Sequence, residues 1–95
     1  MNDNNFDSYT GVVRTFYNNG KLKEEYYMNS GKEEGLYKDY HEINGNLSRE
    51  INCVNGKING IFKQFYPNGN IYRESIFMND ESIEDSFYNI DGIKI

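Results

Sequence analysis

Few residues of this 95-residue chain have types that chemistry uses. His41 is the only histidine and Cys53 the only cysteine. A zinc site needs several Cys, His or carboxylate donors at ligand spacing, and neither residue has clustered partners. A cysteine nucleophile needs a base beside it, whereas Cys53 sits between Asn52 and Val54. We therefore read His41 as a strand residue and Cys53 as a small buried hydrophobe. Glu25, Glu50 and Glu74 could suggest paired carboxylates for acid–base work. Each recurs with its own basic residue, Arg14, Lys38 or Lys63, at the same point of a repeat. A catalytic pair is made once, so this recurrence reads as structural. Asp80, Glu81, Glu84 and Asp85 form an acidic cluster without the glycine and ligand spacing of a calcium loop. It reads as a solvated loop between hairpins, with a partner-facing patch as the second reading. No catalytic set, no metal and no cofactor is expected.

The elements that carry these residues come from a repeat. Gly11–Glu25, Gly35–Glu50 and Gly60–Glu74 say nearly the same thing, with a period of 24 to 25 residues. Such a period marks an array in which each unit buries its apolar face against its neighbours. Arrays present surfaces; catalysis usually needs a pocket. Asn19-Gly20, Asn44-Gly45 and Asn68-Gly69 separate alternating runs rich in aromatic and β-branched residues. Asn-Gly suits a two-residue type I′ turn, so Gly20, Gly45 and Gly69 are expected at positive φ. A second turn comes 11 residues later, at Ser30-Gly31, Asn55-Gly56 and Asn79-Asp80. Strands are expected over 11–17, 21–29, 35–41, 46–54, 60–66 and 70–78, and no stretch has helical spacing. One domain results: a polar segment 1–10, loose over 1–8, then units 11–34, 35–59 and 60–84. A shortened hairpin around Asp91-Gly92 caps the array over 85–95.

Turn geometry sets the register. Two-residue turns place Arg14 opposite Glu25 and Lys63 opposite Glu74; a bulge for the extra residue near His41-Glu42-Ile43 places Lys38 opposite Glu50. Alternation divides the strands into two faces. One, the more apolar, takes Val13, Tyr37, Phe62, Tyr17, His41, Tyr66, Leu22, Leu47, Ile71, Tyr26, Ile51, Met28, Cys53 and Phe77, and is expected to be the core. The other takes Val12, Leu36, Ile61, the three ion pairs, Phe16, Tyr40, Phe65, Lys23, Ser48 and Tyr72. Aromatics mixed with charge suit a protein-binding surface. Phe16, Tyr40, Phe65 and Tyr72 are its candidate anchors, and Glu81, Glu84 and Asp85 its acidic rim.

Composition narrows the function classes. The formal net charge is −5 and no basic run occurs, which argues against nucleic acid and suits a basic protein partner. Met1-Asn-Asp-Asn-Asn has no basic or apolar leader pattern, and no apolar run approaches a membrane span. A cytoplasmic protein without membrane insertion is expected. Open sheet edges could pair between copies, so an edge-to-edge homo-oligomer is a further expectation.

The Gly-x-aromatic, Asn-Gly-x-Leu, Glu and Asn-Gly-Lys elements, best seen in Asn55-Gly56-Lys57-Ile58-Asn59-Gly60, resemble the variant MORN repeat of bacterial proteins. The resemblance covers residue 11 to about residue 83 and fades after Asp80. It implies tandem β-hairpins forming one elongated, twisted antiparallel sheet. It also implies no catalytic motif. Short chains of this type resemble antitoxin or immunity proteins, so stoichiometric neutralisation of a partner toxin domain is the expected function. The alternative is a scaffold or adaptor that brings proteins together, at a membrane in some cases.

Overall fold

The computed structural model describes residues 9–95; the segment expected to be loose over 1–8 lies outside them. The chain forms eight strands: β1 (Gly11–Phe16), β2 (Leu22–Asn29), β3 (Lys32–Glu33), β4 (Gly35–Tyr40), β5 (Leu47–Val54), β6 (Lys57–Phe65), β7 (Ile71–Met78) and β8 (Glu81–Phe87). They make one antiparallel sheet in the order β1-β2-β4-β5-β6-β7-β8, with β3 paired to β2. Among the described residues there is no helix. The described molecule measures 53 × 35 × 14 Å, and its smallest dimension is that of a single layer. The expected all-β hairpin array is the observed fold. The expected unit limits at 59/60 and 84/85 fall inside β6 and β8, so sequence period and hairpins are offset. The acidic cluster is likewise not a loop: Glu81, Glu84 and Asp85 lie in β8, paired with Met78, Ile76 and Ser75.

Type I′ geometry, expected at the Asn-Gly loops within hairpins, is found at the turns between hairpins instead. Type I′ turns require positive φ at both central residues. Ser30 and Gly31 (50° and 81°), Asn55 and Gly56 (53° and 82°), and Asn79 and Asp80 (49° and 72°) meet that condition. The Asn-Gly loops inside the hairpins do not, because only Gly20, Gly45 and Gly69 have positive φ there. In the first hairpin the Gly20 N–H donates to the Tyr17 carbonyl at 2.9 Å and the Tyr17 N–H to the Lys21 carbonyl at 2.8 Å. That leaves a three-residue loop with glycine last, the type I turn plus bulge form. The third hairpin repeats it around Tyr66 and Asn70, with Pro67 at the position proline favours. In the second, the His41 N–H reaches Asn46 instead, so the extra residue lengthens the loop rather than bulging a strand.

A bulge does occur, in all three hairpins and at a different place. Phe16 opposes Leu22 while Thr15 opposes Glu24, which leaves Lys23 as the extra residue. Ser48 and Tyr72 hold the same position. Loop and bulge offset one another. Arg14 faces Glu25, Lys38 faces Glu50 and Lys63 faces Glu74, by a route other than the two-residue turn.

The bulge also resets the alternation, since one inserted residue reverses the facing of the strand on either side of it. Leu22, Leu47 and Ile71, expected in the core, share a face with Phe16, Tyr40 and Phe65, which they oppose. Lys23 and Tyr72 cross the other way. The Lys23 ammonium lies over the Tyr17 ring, and the Tyr72 ring packs on Tyr66 and Phe87.

The core sits on the face assigned to it. Ile51, Cys53 and Phe62 are buried there, with Tyr37, Ile58 and Phe77 packed against them, and Ser75 is buried on the same face. We call this the packed face and the other the striped face.

Candidate functional site

The striped face is organised in rows that cross the strands. Its middle row continues through the junctions between hairpins as well as within them. Arg14 opposes Glu25, Glu25 opposes Lys38, Lys38 opposes Glu50, Glu50 opposes Lys63 and Lys63 opposes Glu74. Signs alternate without a break across six strands. Arg14 and Glu25 approach to 2.7 Å and Lys38 and Glu50 to 4.0 Å. Exposed pairs of this kind contribute about 0–1 kcal/mol each, so the row does more for pattern than for stability.

Mostly apolar rows flank the charges on both sides; Asn52, opposite Leu36, is the one polar member. Val12, Leu36 and Ile61 are 49%, 51% and 46% exposed, with Tyr27 and Ile76 in the same row. On the far side lie Phe16, 58% exposed, Tyr40 and Phe65, joined by Leu22, Leu47 and Ile71. Three of the four candidate anchors thus share a face. The fourth, Tyr72, belongs to the packed face. At the β8 end, Glu81 and Glu84 extend the striped face. Asp85 does not, because it opposes Ser75 on the packed face.

Asp85 is committed within the molecule. It accepts from the buried Ser75 hydroxyl, from Arg73 Nη2 at 2.9 Å and from Ser82 at 2.8 Å. These donors, Ser75 first, hold its carboxyl down at about 2. Arg73 spreads over the rings of Phe62, Phe77 and Phe87, at 4.8, 5.6 and 5.6 Å from their centroids. Asp85 therefore neutralises a cation lodged on aromatic surface.

A second polar group lies on the packed face. Glu24 accepts from Tyr37 at 2.6 Å and Thr15 at 2.9 Å, and Asp39 accepts from Arg49 at 2.6 and 2.9 Å. The Tyr37 hydroxyl holds the Glu24 carboxyl below its ordinary range. Burial, and then the bond to Glu24, pushes the Tyr37 hydroxyl up. No sequence motif marks this group, although Glu24, Tyr26 and Met28 alternate and so share a face.

Neither remaining candidate has reactive geometry. Burial pushes the Cys53 thiol up to about 11, which removes thiolate character at neutral pH. It lines an open depression with Glu24, Glu33, Tyr37, Arg49, Ile51 and Ile58. His41 occupies the position of Tyr17 and Tyr66. Those hydroxyls donate to the carbonyls of Tyr40 and Tyr88, and His41 Nε2 donates to the Phe65 carbonyl at 2.9 Å. A carbonyl only accepts, so the proton is on Nε2. Among the described residues no group of three or more His, Cys, Asp or Glu could hold a metal ion. No helix among them is long and apolar enough to cross a membrane.

Tandem hairpins, hydrogen-bonded to their neighbours through turn residues, are the feature the comparisons bear on. Two stretches of the chain match the MORN repeat variant. They are residues 9–29, which take in β1 and β2, and residues 58–79, which take in β7 and nearly all of β6. The matches support a MORN-like repeat chain, and the MORN repeat is a non-catalytic repeat type. The second hairpin, whose loop is one residue longer, lies outside both matches. Comparison with curated proteins and with solved structures gave no match.

The repeated units are held by side chains placed once per period. Asn44 and Asn46 both donate to the Pro67 carbonyl at 2.9 Å, and Asn68 and Asn70 both donate to the Ile90 carbonyl at 3.0 Å. In the first unit Lys21 stands where Asn46 and Asn70 stand later, so that fork is incomplete there.

Proposed function

We infer that this chain is a stoichiometric protein-binding module whose contact surface is the striped face. One observation carries the reading: on a single-layer sheet a fixed charge row lies between a row with exposed Val12, Tyr27, Leu36 and Ile61 and a half-buried aromatic and aliphatic row that ends on the exposed Phe16. Rings and aliphatic groups beside charge are what binding surfaces use. The MORN repeat suggests a protein-interaction scaffold. The finer reading is an immunity protein or antitoxin that occludes a toxin domain. Its support is the resemblance together with a net charge of −5, which suits a basic partner. Glu81 and Glu84 lie where rim charges speed association.

Co-expression with a candidate basic toxin domain tests this. Protection should require about equal amounts of the two proteins. Phe16→Ala, Tyr40→Ala and Phe65→Ala together should abolish it, because hot spots concentrate in such anchors. Tyr72→Ala should leave it in place. Protection by the folded triple variant would place the contact elsewhere, and protection far below equal amounts would overturn the stoichiometric mechanism. Capture of the domain with its toxicity intact would favour the adaptor reading.

A further inference from the structure

The charge row has a symmetry property that bears on what covers the striped face. Read from β1 to β7 its signs are plus, minus, plus, minus, plus, minus. Read backwards, every sign is reversed. A second copy laid face to face, turned about a two-fold axis parallel to the strands between β4 and β5, therefore meets opposite charge at every position. Arg14 falls over Glu74 of the second copy, Glu25 over Lys63 and Lys38 over Glu50. The same operation keeps each flanking row over itself, with one polar position: Leu36 falls over Asn52 of the second copy, whose amide donates to its own Asn59 carbonyl. Val12 falls over Ile76 of the second copy, Leu22 over Phe65 and Tyr40 over Leu47. The alternative two-fold, along the charge row, sets Lys38 on Lys38 and Glu50 on Glu50 and is rejected by like-charge contact.

We propose that the striped face is a self-complementary interface and that the free protein is an isologous face-to-face dimer. Its sheets pack about 10 Å apart, as in a sandwich. Six strands at about 4.8 Å spacing, six residues long at about 3.4 Å each, span roughly 600 Å² of face, the low end of the area per partner in specific interfaces. Affinity comes from the apolar rows. The charges set orientation, since ion pairs leaving water return little net energy. The acidic β8 edge has no counterpart in the six-strand row and stays outside the footprint. The proposal concerns the free protein and does not depend on the partner reading. A binding partner on this face has to displace the second copy.

Light scattering on the wild-type chain reads the oligomeric state. A dimer is expected, and a monomer up to the highest soluble concentration overturns the proposal. Lys38→Glu and Glu50→Lys each place two like-charge contacts in the dimer and should each yield monomers. Their equimolar mixture restores every central contact and should yield a heterodimer. Single variants that dimerise as tightly as wild type, or folded variants whose mixture stays monomeric, overturn the geometry. Zero-length carbodiimide cross-linking of the wild type needs no variant to fold. Within one copy Glu25 and Lys63 are separated by three strand spacings, about 14 Å, too far for an amide bond. A Glu25–Lys63 cross-link in the dimer band supports the arrangement. A dimer band with cross-links at other residues and none at this pair refutes it.

Discussion

Replacing Phe62 with alanine should remove the largest share of stability that any single ring supplies. Phe62 is 7% exposed, its centroid lies 5.1 Å from that of Phe77, and Arg73 sits 4.8 Å over it. Deleting a buried phenylalanine costs about 3–5 kcal/mol. Here the lower end applies, because one open layer lets water enter the vacated space. A chain of this length has a total stability of about 5–14 kcal/mol at 0.05–0.15 kcal/mol per residue. A loss of about 3 kcal/mol is therefore about a fifth to three fifths of the whole. At 4–8 °C per kcal/mol, Tm should fall by at least roughly 12 °C. Phe62 lies on the packed face, so the loss is intrinsic to the sheet and independent of any association through the striped face. Ile43→Ala is the control. Ile43 is 79% exposed in the long second loop, and its truncation should change stability by less than about 0.5 kcal/mol. Thermal melts followed by far-ultraviolet circular dichroism compare the two. Equal shifts for Phe62→Ala and Ile43→Ala would refute the claim that stability concentrates around Phe62.

Asp85→Asn should destabilise the fold in a pH-dependent way. The carboxyl is held at about 2 against an ordinary 3.8, so its ionised form stabilises the fold above the ordinary value, and that contribution is lost as pH falls through the folded one. The gap between wild-type and variant urea midpoints should be full at neutral pH and close between 3.8 and about 2; a constant gap would contradict the assignment. Gly69→Ala should cost about 1–2 kcal/mol, the left-handed backbone penalty alone, because Gly69 has a φ of 95° and nothing lies within 4 Å of an added Cβ. An unchanged urea midpoint would contradict the loop geometry.

The period of the sequence was enough to place six strands and the opposed pairs, because repeated Asn-Gly and Gly-x-aromatic elements mark where chains reverse; β3 and β8 were not read from it. Turn type was less legible. Asn-Gly permits a type I′ turn at Asn19-Gly20 and at Asn55-Gly56 alike, and only the flanking hydrogen bonds separate them. The bulge at Lys23, Ser48 and Tyr72 left no mark at all, since a cation, a hydroxyl and an aromatic ring share no property that would flag it. Missing it moved Leu22, Leu47, Ile71 and Tyr72 to the wrong faces. Asp85 was misplaced for a different reason. Acids near a turn read as loop, yet this one lies inward because Arg73 and Ser75 stand ready to receive it. The unbroken charge row was half visible: the pairs within hairpins come from the loops, whereas those between hairpins depend on extra residues near Gly35 and Gly60. There positive φ, 88° and 100°, lets the strand absorb the shift.

The hydrogen bonds that tie one unit to the next reach one period and no further. Ser30 to Thr10 and Asn70 to Ile90 span 20 residues, and His41 to Phe65 spans 24. The Gly31, Gly56 and Asp80 N–H groups each donate to a carbonyl 22 or 23 residues earlier, at Tyr9, Glu33 and Ile58. Each unit therefore carries the means to join both neighbours and nothing addressed to a particular position in the series. Duplicating or deleting a whole unit would leave every class of junction intact and change only the number of rungs. Length is thus the property this architecture can vary by a single genetic event, and with it the number of charges in the row: an added hairpin brings one more plus and one more minus and keeps the face matched to its own reverse.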